Sequence, residues 1–515
     1  MRRNKIFRIG EVWVFLALIA LTLAWYVNRA RTDESEDFCT VRSDDKCITA
    51  SWGGLDRKKF ASAHVYVYDD GALVYDGEFL PEGPPAVFYD GQHGKKYSVM
   101  VLADRKPGLF GHVRTDTVLD ADYMYLDYDM LPDLPVLRIE TKDSRHPGYT
   151  IVSAPKNAWG TSVTDNEYVD AEYCLTRPGG EPMTGITEIK VRGNASNVTY
   201  NGKLGYRLRL RKKEALSDSD ELATKHWALL SVGHYINTYV GETISELAGV
   251  EFSHHMMFVN VIVNGDWKGT YCLTPSVSRA NAKDLISEQG YLFESDAYWW
   301  KEGEIHFRTG SVIDQMSYTI TYPDVESKDD VRLLAIRDYL QEFEDLLYAG
   351  DEGYRDYIDE ESFARWLIVR DVMGEGDAAG ANTYYYKYDF DPQDPTSTQL
   401  KMGPVWDFDN MAMSGDSWEA MRFEGINYFS ELSRQPSFNE IYVKLWKELG
   451  TTIRDGAIRS LNDLDKTLGA ELDQSWELDR VRWGIEVDSF ETQKSNAIEW
   501  LEHRKEWMDE QLSME

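Results

Sequence analysis

The sequence predicts an α+β protein whose strand-rich part precedes a helical part, with a small antiparallel β-domain and an apolar N-terminal segment ahead of both. Three observations predict it. Short alternating runs separated by turn signals fill residues 47–133. Strand-like segments continue from 134 to about 271, interrupted by one helical segment over 226–248. After about Asp329, apolar residues recur at helix spacing, as in Leu333, Leu334, Ile336, Tyr339, Leu340 and Phe343. Strands followed by helices define this class, and a site commonly lies in the cleft between the two parts.

At the N-terminus, Arg2, Arg3, Lys5 and Arg8 precede an apolar run over residues 12–27. Sixteen residues extend roughly 24 Å as a helix, a little short of a hydrocarbon core about 30 Å thick. Trp13, Trp25 and Tyr26 sit at its ends as interfacial anchors, and no small-residue cleavage pattern follows. Residues 1–31 therefore read as a signal anchor, with a cleaved signal peptide as the alternative. The charge bias puts the N-terminus in the cytoplasm, so the chain is expected at the cell membrane, single-pass, with its C-terminal part extracellular; cleavage would make it secreted.

Residues 32–46 are acidic and polar and read as a stalk. The β-domain over 47–133 contains strand patterns at 64–68, 72–75 and 97–101, with a spacing or adhesive role. The main domain is expected over 134–515, strand-rich over about 134–300 and helical over about 301–515, with helices at 331–347, 362–373 and 486–512.

Lys and Arg number 55 against 88 Asp and Glu, so 55 − 88 gives a net charge of −33. Phosphate backbones would be repelled, which excludes nucleic acid as the main partner. The four cysteines form no CxxC pair, and their spacing has no metal-site character. On an exported chain Cys39–Cys47 and Cys174–Cys272 are candidate disulfides; four free thiols are the other reading.

The densest chemistry lies in residues 374–413, GEGDAAGANTYYYKYDFDPQDPTSTQLKMGPVWDFDNMAM. A glycine-containing loop leads into a strand at 383–388, a turn at 389–398, a strand at 399–402 and then WDFDN. This order brings Asp377, Asn382, Asp407 and Asp409 near one another. Acidic groups crowded together repel unless a cation joins them, so a divalent metal is the natural occupant. Asp377 and Asn382 have the D-x-x-x-x-N spacing of a kinase catalytic loop, and Asp407-Phe408-Asp409 stands where such enzymes carry a metal-binding aspartate. Asp and Asn also cap helices and turns, which is the bland account of the same residues.

Lys190 and Arg192 share one face of a strand, as do Arg207 and Arg209 of the next. Together they predict a cationic patch suited to a polyphosphate, with Lys203 in the glycine-containing loop between them as a further candidate. Basic residues guarding an exposed strand edge are the alternative. Glu242 and Glu246 lie one turn apart on the following helix, and either could reach back toward a basic strand residue. Asn194-Ala-Ser and Asn197-Val-Thr match the short glycosylation pattern.

In this order IKVRGNAS, GYRLRLRKK, KHWALL, VNGDWKGTYCL, GDAAGANTYYYK, MGPVWDFDN and the W-x-x-x-R-x-x-x-M of residues 500–508 resemble the CotH (spore-coat protein H) kinases, secreted atypical protein kinases. The resemblance covers about 134–515 and rests most on GDAAGANTYYYK and PVWDFDN. It implies a two-lobed, protein-kinase-like domain that transfers the γ-phosphate of ATP to Ser or Thr of secreted or surface proteins with Mg²⁺ or Mn²⁺. Asp377 would be the catalytic base, Asn382 and Asp407 metal ligands, and Asp409 a second ligand or loop support. Lys190, Arg192, Arg207, Arg209 and Glu246 would serve the nucleotide. The chain departs from the family pattern at Arg209, where a lysine is expected, at Thr274-Pro275, where an acidic residue is expected, and in the SVGHYINTYV segment. The competing reading is a non-catalytic adhesion or structural protein with a cation-binding acidic cluster; a glycosidase is weaker, because no ordered carboxylate pair stands out.

Overall fold

The computed structural model describes residues 39–107, 113–156, 158, 160–164, 167–193, 202–217, 223–231, 235–301, 305–310, 316–374, 382–408, 412–414, 417–421 and 428–513. The expected anchor over 12–27 lies outside the described residues. Among those described, no helix is long and apolar enough to cross a membrane.

The chain is a mixed α+β protein with several sheets and six described helices. Its first unit has strands β1 (Thr40–Arg42), β2 (Ile48–Ser51), β3 (Phe60–Asp69), β4 (Ala72–Phe79), β5 (Ala86–Phe88), β6 (Lys95–Arg105) and β7 (Thr115–Tyr125). They form a three-stranded sheet, β1-β2-β5, and a four-stranded sheet, β4-β3-β6-β7. Alternation along β3 buries Val65 and Val67 against Val99 and Val101 of β6, and Ile48 and Phe88 join the same core. The expected stalk is, from Cys39 onward, part of this unit. Arg42 donates to Glu140 at 2.8 and 2.9 Å, and Ser43 N–H to the Gly265 carbonyl at 2.9 Å, tying the strand to the next unit.

That next unit is a closed barrel in the order β11-β12-β13-β14-β16-β15-β8. Its members are β8 (Val136–Thr141), β11 (Val169–Thr176), β12 (Met183–Arg192), β13 (Gly205–Glu214), β14 (Thr224–Leu230), β15 (Met257–Val263) and β16 (Asp266–Pro275). A separate hairpin, β9 (Thr150–Ser153) and β10 (Thr161–Thr164), follows β8. Ile189, Val191, Leu208, Leu210, Trp227 and Leu229 fill the barrel interior, so Lys190, Arg192, Arg207 and Arg209 face outward as the period of two requires. Helix α1 (Tyr235–Leu247) lies between β14 and β15. The helix expected over 226–248 thus begins later; Trp227, Ala228, Leu229 and Leu230 are all buried in a strand, and a fully buried apolar run carries no period to distinguish the two forms.

A five-stranded sheet, β18-β19-β17-β20-β21, comes next. It comprises β17 (Tyr291–Asp296), β18 (His306–Phe307), β19 (Ser317–Tyr322), β20 (Thr383–Lys387) and β21 (Leu400–Val405). Helices α2 (Val331–Ala349) and α3 (Glu360–Met373) intervene between β19 and β20, each capped by an aspartate side chain, Asp330 and Asp359. After β21 come α4 (Phe429–Leu432), the 48-residue α5 (Pro436–Trp483) and α6 (Phe490–Ser513). The largest core joins the barrel's outer residues Ala228, Leu230 and Phe258 to Phe293 and Tyr385 of the sheet and to Trp366 and Trp476 of the helices. It is continuous across residue 300, where a division was expected.

All four cysteines are free thiols, which corrects the candidate disulfides. Thr40 pairs with Ser51, so Cys39 and Cys47 lie toward opposite ends of their hairpin. Cys174 on β11 and Cys272 on β16 are on opposite sides of the barrel and point away from its interior, whereas a disulfide needs Cα atoms within about 7 Å. Burial pushes the Cys39 thiol up to about 12.

Candidate active site

Helix α3 ends at Gly374, whose φ of +60° stops the helix in the left-handed region. A β-carbon there would stand 2.4 Å from the Trp500 ring, so the helix end and α6 fit only with glycine. Trp500 Nε1 donates to the Val372 carbonyl at 2.9 Å, and the buried Arg504 Nε donates to the Asp371 carbonyl at 2.6 Å. The W-x-x-x-R pattern therefore anchors the C-terminal end of α3. Asp377 and Asp409 lie outside the described residues, as do Asn194 and Asn197.

Asn382 and Asp407 are described. Thr383 pairs with Val405, so both residues leave the β20–β21 hairpin at the same end. Both hold left-handed backbone conformations, with φ of +62° and +64°. Asn and Asp tolerate that region better than other side chains, and such conformations cluster at functional sites. Asn382 N–H donates to Glu294 Oε1 of β17 at 2.8 Å. Arg370 of α3, fully buried, holds the two loops together: its Nη2 donates to the Trp406 carbonyl at 2.8 Å and to the Asn382 carbonyl at 3.3 Å. Its guanidinium also lies 5.3 Å from the centre of the Phe408 ring.

A cavity of about 490 Å³ lies between the barrel and the five-stranded sheet. Arg192, Arg207, His226 and Ala228 line it from the barrel, Glu294 and Tyr384 from the sheet, and Trp406 from the residue before Asp407. Arg192 lies 5.8 Å over the Trp406 ring, and Arg207 Nε is buried with no hydrogen-bond partner. Burial, followed by the charges of Arg207, Arg209 and Lys225, holds the His226 imidazole below its ordinary range. This wall is thus electropositive within an acidic chain and suits a bound anion.

The other expected nucleotide residues lie elsewhere. Lys190 and Arg209 do not line the cavity; they lie 5.1 and 4.3 Å over the Tyr168 ring, and Arg209 pairs with Glu188 at 2.6 Å. Lys203 is buried against Asp479 at 2.8 Å and also donates to the Thr270 carbonyl at 2.7 Å, which corrects its reading as a phosphate group. Glu246 is exposed. Its neighbour Glu242 is the inward residue: Oε1 accepts from Thr274 Oγ1 at 3.3 Å, Oε2 has no partner, and burial pushes the carboxyl up to about 8.

Among the described residues no cluster of three His, Cys, Asp or Glu side chains could hold a metal. The described donors at the loop ends, one carboxylate and one amide oxygen, fit a hard divalent cation that keeps several waters. Arg370 and Glu294 escape sequence reasoning, because each sits in an apolar or aromatic run with no motif of its own, and Tyr384, though inside GDAAGANTYYYK, is one of three adjacent tyrosines that spacing does not tell apart.

A cationic cleft beside two loops carrying oxygen donors suits a kinase-like protein. The chain belongs to the CotH kinase family: the model described as CotH kinase protein matches residues 189–508, more than half of the 515 residues. No curated protein matches it.

Proposed function

We propose that the protein is a metal-dependent CotH-type kinase that moves the γ-phosphoryl group of ATP to a Ser or Thr hydroxyl of a secreted or cell-surface protein. The observation that carries the proposal is the joining of the backbone of Asn382 to that of Trp406, the residue before Asp407, by the buried Arg370, beside a cavity walled by Arg192 and Arg207. In this reading the triphosphate lies against Arg192 and Arg207, and Asp377 takes the proton of the attacking hydroxyl. Asn382 and Asp407 would hold Mg²⁺ or Mn²⁺, with Asp409 as a further ligand or loop support. The metal, when bound, neutralises charge on the transferred phosphoryl group. The barrel and the helical part would then act as the two lobes of a kinase-like domain over 134–515, with residues 12–27 anchoring the chain in the cell membrane and the rest outside.

The test is ATP binding to the full-length chain in detergent, by calorimetry, with and without Mg²⁺ or Mn²⁺. The proposal expects metal-dependent binding that Asp407→Ala abolishes. Absence of binding, or binding indifferent to both metal and Asp407, contradicts it. A second reading, a non-catalytic surface protein on the same scaffold, draws on Glu242, whose partners are the Met256 backbone N–H and the Thr274 hydroxyl.

A further inference from the structure

A second groove, of about 360 Å³, lies on the outer surface of the barrel. Ile186, Glu188, Arg209, Arg211, Lys225 and His226 line it. Arg209 and Arg211 alternate along β13 with Leu208 and Leu210, which fill the barrel interior, so both arginines face outward. His226 lines this groove and the larger cavity alike, and the two hollows adjoin there.

The charge in the groove is sorted by strand. Its acids, Asp170 and Glu188, lie on β11 and β12; its cations, Arg209, Arg211 and Lys225, lie on β13 and β14. Arg209 is held by Glu188 at 2.6 Å. Arg211 and Lys225 are exposed and make no ion pair among the described residues, and the exposed Lys212 and Lys213 follow Arg211 directly.

On an open sheet, basic residues guard an edge against unwanted pairing. β13 has no such edge, because β12 pairs with one side of it and β14 with the other. A cluster of cations in a chain of net charge −33 therefore calls for another account. At physiological ionic strength charges act over about 8 Å, so a ligand in the groove meets these cations and not the distant acidic surface. A guanidinium matches a carboxylate, and cations from two neighbouring strands, with two more flanking, suit a run of carboxylates better than a single one. Ile186, 53% exposed in the same groove, adds an apolar contact that a bare inorganic anion would not use.

We propose that this groove is a docking surface for an Asp- and Glu-rich segment of a partner protein, seated against Arg211 and Lys225. It stands apart from the nucleotide reading, since neither residue lines the larger cavity. The surface holds its partner and takes no part in bond making.

The experiment measures, by fluorescence anisotropy, binding of a labelled Glu-rich peptide and of its Gln-rich counterpart to the full-length chain in detergent. Arg211→Glu with Lys225→Glu reverses the groove. Arg434→Glu with Lys466→Glu makes the same change of net charge at exposed positions elsewhere. Ile186→Asp is a second test, placing an acid in the groove without removing its cations, and thermal melts check that each variant is folded. The wild type and the remote variant are expected to bind the Glu-rich peptide alike and to prefer it over the Gln-rich one. The groove variant should bind it roughly tenfold more weakly and Ile186→Asp roughly threefold, the order of two and of one partly exposed ion pair. No binding by the wild type, equal binding of the two peptides, or equal weakening by the groove and remote variants overturns the proposal. If the groove variant does not fold, Ile186→Asp decides: wild-type affinity in that variant overturns the proposal as well.

Discussion

The ring of Phe408 occupies the space that a side chain on Gly241 would need: a β-carbon there would stand 2.5 Å from the ring. Helix α1 and the residue after Asp407 are therefore packed to contact, and the glycine sits inside a helix where alanine would ordinarily be preferred by about 1 kcal/mol. Gly241→Ala should reverse that ordinary gain and destabilise the protein by about 1–3 kcal/mol through overpacking. Thermal melts check the direction. Mn²⁺ binding to the same variant should weaken, because Phe408 and Asp407 must shift together.

Arg370 spans the two loops, so its geometry and its charge can be separated. Arg370→Lys keeps the charge but replaces the planar guanidinium, whose Nη2 bonds both carbonyls, with a flexible ammonium. A hydrogen bond to a charged group is worth about 1.5–3 kcal/mol, and a loss of that order is expected in unfolding free energy. Metal-dependent thermal shift should fall with it. An unchanged shift in a folded Arg370→Lys would show that the loops hold their spacing without the guanidinium.

Glu242 predicts a pH dependence. Its carboxyl is raised by burial from an ordinary 4.5 to about 8, so between those values the folded state keeps a proton that the unfolded state releases. Its contribution is complete below about pH 4.5, falls as pH rises, and is lost above about pH 8, at no more than about 1.4 kcal/mol per pH unit. Glu242→Gln should flatten the stability profile across that window. Chemical denaturation at several pH values measures it; equal slopes for the two proteins would contradict the assignment.

Lys203 and Asp479 form a buried pair joined by Tyr235, whose hydroxyl donates to Asp479 at 2.8 Å. Lys203→Met strands the carboxylate and should cost about 3–5 kcal/mol, while the double change Lys203→Met with Asp479→Leu should recover much of it. Urea unfolding reads both. Nucleotide affinity of the folded fraction should stay at the wild-type value, since Lys203 does not line the cavity.

Much of the site is legible from local order. Asn382 and Asp407 stand out because the residues that flank the hairpin are crowded into one short stretch, and the outward faces of β12 and β13 follow from the period of two. Arg192 and Arg207 could not be told from Lys190 and Arg209 in the same way, because the latter pair is taken up by Tyr168, just before β11, and Arg209 also by Glu188 of β12. The Lys203 partner is 276 residues away on α5, a distance that no spacing rule bridges. Arg370 reads as an ordinary helix charge until the fold closes over it. The Cys174–Cys272 pairing fails for a topological reason, the position of β11 across the barrel from β16.

Phosphoryl transfer by the full-length chain tests the central claim most directly. The chain would be given γ-labelled ATP, Mg²⁺ or Mn²⁺ and a generic acidic protein substrate, with Asp377→Asn and Asp407→Ala alongside. Metal-dependent label on Ser or Thr that disappears in both variants is the predicted result. No transfer under either metal, or transfer that persists in both variants, would contradict the account and return the scaffold to a binding role.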